Sequence, residues 1–229
     1  MVNQAQIHTV RVFVDTDKNY GSPLGIVMDK DQALSAEERQ KIAADLNYSE
    51  TVFIDDAKRG HINVFSPIRE CPFSMYAAVG TAWYLQNIQH VHCDQLISHG
   101  QHIDVLLQNE KNWITSPISI LPKWNITEYK TVTEIESLSV STFKDKEHVL
   151  VWAWINKERG LVRARTFATD WGIPEDEANG SGSMRLAALL QRDITIIHGK
   201  GSLIFAQTTN KTDVRVGGFC TIVGDSMIQ

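Results

Sequence analysis

The chain has little cysteine: Cys71, Cys93 and Cys220 are its only thiols, and none forms a CxxC pair. An odd count without metal-ligand spacing excludes a disulfide framework and a zinc-thiolate site, and predicts free thiols in a reducing compartment. Positive charge is also in short supply. Against 27 Asp and Glu there are 22 Lys and Arg, a net charge of −5, so nucleic acid is not an expected partner. No apolar run approaches the ~20 residues of a membrane span. The opening MVNQAQIHTVRVFVD lacks the charged-then-apolar layout of a secretion signal and reads as the entrance to a strand. A cytoplasmic protein without membrane or nucleic-acid partners is expected.

Familiar cofactor motifs are missing too. His90, His92, His99 and His102 lie close in sequence, but no HExxH or acidic partner accompanies them, and no metal is expected there. HGKGSL at 198–203 contains GxG but lacks the third glycine and the following helix of a dinucleotide fingerprint.

What is present is an ordinary globular composition, 43% hydrophobic and 21% charged in 229 residues, enough for one large domain or two modest lobes. VRVFVD at 10–15 alternates with a period of two and predicts a strand. GSPLGIVM at 21–28 reads as a turn and a partner strand. LSAEERQKIAADL then places Ser35 and Glu38 at capping-box spacing, opening a helix with Ile42 and Leu46 on one face. Strands are expected at 51–54 and 61–66. In ECPFSMYAAVGTAWYLQNI, at 70–88, an acid, a proline turn and small residues lead into a helix apolar nearly all round, hence buried.

The second half repeats this order. Strands at 148–155 and 162–168 precede EDEANGSGS, and the apolar helix MRLAALLQ follows at 184–191. Strands ITII, SLIFA, VRV and CTIV close the chain, with a GG pair at 217–218. Two prolines in ITSPISILPK, at 114–123, mark the seam. Two lobes, 1–115 and 116–229, are therefore expected.

The stretch 175–191 poses a question, because polar, flexible backbone stands directly before a buried helix. Helix N-termini carry unpaired N–H groups and a positive dipole end, which suit a carboxylate. The structural alternative is a cap, with Ser181 or Ser183 on the helix and Gly180 and Gly182 in a turn. Two such helix starts, one per half and related by an approximate twofold, would converge on a small anion.

Three stretches carry a family resemblance. LNYSETVFI at 46–54, ECPFSMYAAVGTA at 70–82 and GIPEDEANGSGS at 172–183 resemble the signatures SETVF, ELPFAGHPTLGTA and EDPATGSA of the PhzF-like family. GSPLGIV near the start, and HGKGSLIFA and VRVGGF near the end, are similar to its flanking strands. The likeness runs in order from about residue 7 to about residue 223. It implies the α+β, diaminopimelate-epimerase-like fold: two pseudo-symmetric lobes, each a β-barrel-like sheet around a central helix, with the pocket between them.

By that resemblance the protein is an isomerase without metal or organic cofactor that moves a proton on carbon of a small carboxylate substrate, and it forms a homodimer. Glu50 takes the role of general acid/base. Asp176 and Ser181 fall on pocket positions, Gly180 and Gly182 allow close backbone approach, and Tyr76 stands where the family has its pocket histidine. Partial burial beside TVFI would raise the Glu50 pKa toward the range a carbon-acid base needs.

Departures accompany the match. Tyr76 replaces histidine, and a phenol near pKa ~10 relays protons poorly at neutral pH. Met75 replaces glycine, Glu177 replaces proline, Ser22 replaces asparagine, and the middle, 105–150, matches least. They define an alternative: a catalytically inactive small-anion binding protein that keeps the fold. Two other chemistries lack their residues. A two-thiol racemase needs a cysteine at each helix start, and a serine hydrolase built on Ser181 lacks the GxSxG elbow. Trp113, Trp124 and Trp152 are open to two readings, interface or core.

Overall fold

The computed structural model describes residues 5–144 and 146–228. The chain folds into two units. The first takes the chain up to Val12, residues 22–114 and the chain from Cys220 on; the second takes residues 13–21 and 115–219.

The first unit contains strands β1 (Ala5–Val14), β2 (Ser22–Met28), β3 (Glu50–Asp56), β4 (His61–Phe65), β5 (Glu70–Cys71), β6 (Gln95–Ser98), β7 (Gln101–Gln108) and β8 (Lys111–Pro117). Its helices are α1 (Ala36–Leu46) and α2 (Met75–Asn87). Neighbours run β1-β2-β3-β4-β6-β7-β8, with β5 added on β4. β2 pairs in parallel with β3, and β4 with β6. Parallel neighbours need a crossover, which α1 and α2 supply.

Local chemistry explains both helices. Ser35 and Glu38 make both bonds of the capping box expected of them at the start of α1. The helix is fastened by buried Arg39, whose guanidinium holds Asp29 and Asp55 at 2.5 Å each. In α2, ten of thirteen residues are buried, which its all-round apolar surface requires of a central helix.

The second unit contains β9 (Asn125–Glu128), α3 (Val132–Glu136), β10 (Val149–Asn156), β11 (Leu161–Ala168), β12 (Ile173–Asp176), α4 (Gly180–Leu190), β13 (Ile194–His198), β14 (Ser202–Thr208) and β15 (Asp213–Ile228). Of β15, the part up to Phe219 belongs to this unit, which also takes the ends of β1 beyond Val12 and of β8 beyond Ile114. The neighbour order is β15-β14-β13-β11-β10-β9, with β12 on β11. Again two parallel pairs, β9 with β10 and β11 with β13, are bridged by helices, α3 and α4. From β2 onward the order of elements in the first unit recurs in the second. A short strand (β5 or β12) folds back on its predecessor and leads straight into the buried helix.

Two expectations are corrected. The polar run 180–183 is not a loop ahead of a helix at 184: α4 begins at Gly180, and the small residues are its first turn. Its cap is Asn179, not Ser181 or Ser183, because the Asn179 side chain accepts the Gly182 N–H at 2.6 Å. Of the two readings open for the tryptophans, core is the one found: Trp113, Trp124 and Trp152 are 5%, 8% and 2% exposed. The GG pair also has a steric reason, since a Cβ at Gly218 would lie 2.4 Å from the ring of Phe13.

Candidate active site

The candidate residues fall into two clusters, one at the N-terminus of each unit's central helix. In the first unit Glu50 is the first residue of β3, where Asn47 in a left-handed conformation has just ended α1. Ser74 caps α2, its hydroxyl oxygen accepting the Ala77 N–H at 3.2 Å. The same hydroxyl donates its proton to Glu50 Oε2 in a short hydrogen bond. The acid is thereby tied to the positive end of the helix, where a carboxylate is favoured.

Tyr76, in the first turn of α2, is 7% exposed, and its hydroxyl donates to the Pro23 carbonyl on β2. That proton is committed to the backbone, unlike that of an imidazole relay. Cys71 on β5 stands near enough for the Glu50 charge to act on it. Burial first, and then that charge, push its thiol above the usual range. A raised thiol pKa works against the thiolate form that a nucleophile needs.

In the second unit Asp176 ends β12. Its two oxygens accept the Ala178 N–H at 3.1 Å and the Asn179 amide at 2.9 Å. Asp176 thus orients Asn179, and Asn179 caps α4. Gly182 is buried in this arrangement: a Cβ there would lie 2.7 Å from Asn179 Oδ1 and 2.8 Å from Leu150 Cδ1. An α-helix offers no internal acceptor to its first N–H groups. That of Gly182 turns to the Asn179 side chain, and the Ser183 N–H makes the first internal bond of the helix, to the Asn179 carbonyl at 3.3 Å. The Ser181 hydroxyl oxygen accepts the indole N–H of Trp124 at 3.0 Å.

Glu177, the charge that replaces the family's proline, closes the adjoining turn. Its carboxylate accepts the Lys200 N–H at 2.9 Å and the Ser202 hydroxyl at 2.7 Å. Ser202 in turn accepts the Gly21 N–H at 3.0 Å. Burial raises the Glu177 pKa, against the pull of the Ser202 and Lys200 hydrogen bonds. Beneath it His198 is fully buried. The Glu177 carbonyl can only accept, so His198 Nδ1–H donates to it at 2.9 Å and Nε2 accepts from Thr166 at 2.8 Å. Burial lowers the His198 pKa. The HGKG turn therefore serves as the bed on which residues 176–179 lie.

The four histidines in the 90–102 segment make ordinary surface contacts where their bonds are seen. His92 meets Asp94 at 2.6 Å, His99 meets Glu70 at 3.0 Å and His102 meets Gln95 at 2.7 Å. Among the described residues no group of three or more His, Cys, Asp or Glu side chains is arranged to hold a metal ion, and no helix is long and apolar enough to cross a membrane. Ser74 and Trp124 escaped the sequence reading. Ser74 carried a signal, a serine directly before an apolar helix. Trp124 carried none, since its partner lies 57 residues away.

Two units that each present a buried helix start on a mixed sheet define an α+β, diaminopimelate-epimerase-like protein, a fold that recurs in epimerases. Residues 10–112 match the family model of phenazine biosynthesis-like proteins. Over 249 aligned positions the chain is 26% identical to the trans-2,3-dihydro-3-hydroxyanthranilate isomerase of Pseudomonas chlororaphis, covering 84% of this chain and 87% of that one. In fold it is similar to the PhzF family phenazine biosynthesis protein of Bacillus anthracis, with a TM-score of 0.82 at 15% identity over 99% of both chains. It is also similar to the PhzF family protein of Enterococcus faecalis, with a TM-score of 0.81 at 18% identity over 99% and 100% of the two chains. In sequence the chain is thus similar to an isomerase, and in fold to proteins of the PhzF family.

Proposed function

We propose that the protein is a cofactor-independent isomerase that shifts a proton between carbons of a small unsaturated carboxylate, with Glu50 as general acid/base. The observation that carries this reading is the bond between Ser74 and Glu50, which fixes one carboxylate in one orientation at the head of α2. In the reaction, Glu50 removes a proton from an allylic carbon. The C–H electron pair forms a new double bond to the middle carbon, the old π pair shifts to the far carbon, and protonated Glu50 delivers its proton there. Atoms and charge balance without oxidant or reductant.

In the second unit, the Gly180 and Ser181 N–H groups and the Ser181 hydroxyl are the carboxylate-binding groups of this reading. Gly182 gives the cap its room, and Asp176 orients Asn179 while facing the substrate's amino or hydroxyl group. Tyr76 contributes a wall and an acceptor rather than a proton. The substrate class is that of the Pseudomonas relative, a cyclic amino carboxylate with a ring double bond.

The test is deuterium uptake in D₂O. Wild-type protein incubated with trans-2,3-dihydro-3-hydroxyanthranilate, and with a panel of small cyclic carboxylates, is expected to place deuterium on ring carbon, and Glu50→Gln is expected to place none. The tie between Tyr76 and Pro23 favours a second reading, an anion-binding protein without turnover. Compounds that bind but never exchange would establish that reading and remove the first.

A further inference from the structure

Resting on the assignment of Ser181 to the substrate carboxylate, we propose that Trp124 is a positioning residue that turns the Ser181 hydroxyl into a fixed donor for that carboxylate. An indole N–H can donate but never accept. With Trp124 Nε1 at 3.0 Å from Ser181 Oγ, the hydroxyl must accept there, and its own proton has to leave in another direction. The acceptor within the protein for that proton is Asn179 Oδ1, 3.5 Å away and already bonded to the Gly182 N–H at 2.6 Å. So long a contact is a poor bond. A carboxylate arriving at the start of α4 would be the better acceptor, and charge-assisted bonds are the strong ones.

The indole is held in place from two sides. Its ring packs edge-on against His148 at 4.9 Å and against Trp171 at 5.1 Å. His148 is itself bonded to Asp170 at 2.9 Å and to the Lys123 carbonyl. The chain leading into Trp124 is pinned to α4 as well. Arg185, one turn beyond Ser181, donates to the carbonyls of Leu121 at 2.6 Å, Ile118 at 3.3 Å and Pro122. Donor and acceptor are thus both referenced to one helix. A serine in a flexible setting samples three hydroxyl rotamers; this one is biased before any ligand arrives, which lowers the ordering cost of binding.

The experiment is a double-mutant cycle on ligand binding, using Trp124→Phe, Ser181→Ala and the pair together. The probes are 3-hydroxyanthranilate, the aromatic counterpart of the relative's substrate, and its neutral carboxamide, both followed by calorimetry. Each single variant is expected to weaken the carboxylate by about tenfold. The double variant should be no weaker than Ser181→Ala, and Trp124→Phe should leave the carboxamide unchanged. An equal loss from Trp124→Phe in the Ser181→Ala background would mean that the ring acts by packing alone, and would overturn the inference. Loss in Ser181→Ala with none in Trp124→Phe would overturn it while leaving the site assignment standing. If Ser181→Ala changes nothing, or wild type does not bind the carboxylate, the site assignment falls and takes the inference with it. Should Trp124→Phe fail to fold, the indole N–H resonance of Trp124 decides. It is expected to move upfield and exchange faster in Ser181→Ala, and an unmoved resonance would refute the bond.

Discussion

The Ser74 hydroxyl serves two partners at once, accepting the Ala77 N–H that opens α2 and donating to the Glu50 carboxylate at the head of β3. A helix cap and a candidate catalytic base therefore share one atom. Ser74→Ala is expected to cost about 1 kcal/mol of stability from the lost cap. It should also slow proton exchange on carbon by roughly tenfold through the freed carboxylate, with Ser74→Thr restoring both. Urea unfolding and D₂O exchange read the two effects separately. A stability loss with unchanged exchange would confine Ser74 to capping.

His198 is buried and held neutral between the Glu177 carbonyl and the Thr166 hydroxyl. Because burial lowers its folded pKa, the unfolded chain binds the proton first as the solution is acidified. The contribution to stability is complete above the ordinary histidine value of ~6.5 and is lost as pH falls from there toward the lowered folded value. In an NMR titration His198 should stay neutral below the ordinary histidine value of ~6.5, while the melting temperature declines over the same interval. Titration of His198 at or above ~6.5 would contradict this.

Gly182 has no room for a methyl group. Its absent Cβ would meet Asn179 Oδ1 at 2.7 Å and Leu150 Cδ1 at 2.8 Å, so Gly182→Ala must displace the cap, the core, or both. A loss of about 1–3 kcal/mol is expected, with weaker carboxylate binding as Asn179 shifts. Full stability in chemical denaturation would show that the first turn of α4 tolerates rearrangement.

Much of this was legible in the sequence because it is local. The Ser35 and Glu38 capping box, the two apolar helices and the order of strands depend on spacing within a few residues, where periodicity and capping chemistry act. The start of α4 was misplaced for the same reason. Gly, Ser, Gly and Ser have weak helix propensity, and only the Asn179 cap and the space around Gly182 make that run helical. The Tyr76 substitution was visible, but its outcome was not, since the Pro23 carbonyl that takes its proton is 53 residues away. Likewise the exchange of proline for Glu177 was visible, but not that the turn at 200–202 closes on its carboxylate.

The sequence by itself determined the α+β class, the repeated order of elements and the residue types available for chemistry, because patterning and signature stretches are properties of the chain. Which proton each of those residues still has to give was decided by tertiary structure. Hydrogen bonds between distant segments commit Tyr76 to Pro23, Ser74 to Glu50 and the Ser181 oxygen to Trp124. A buried donor or acceptor must find a partner wherever the fold brings one, and that choice is not written in any local stretch.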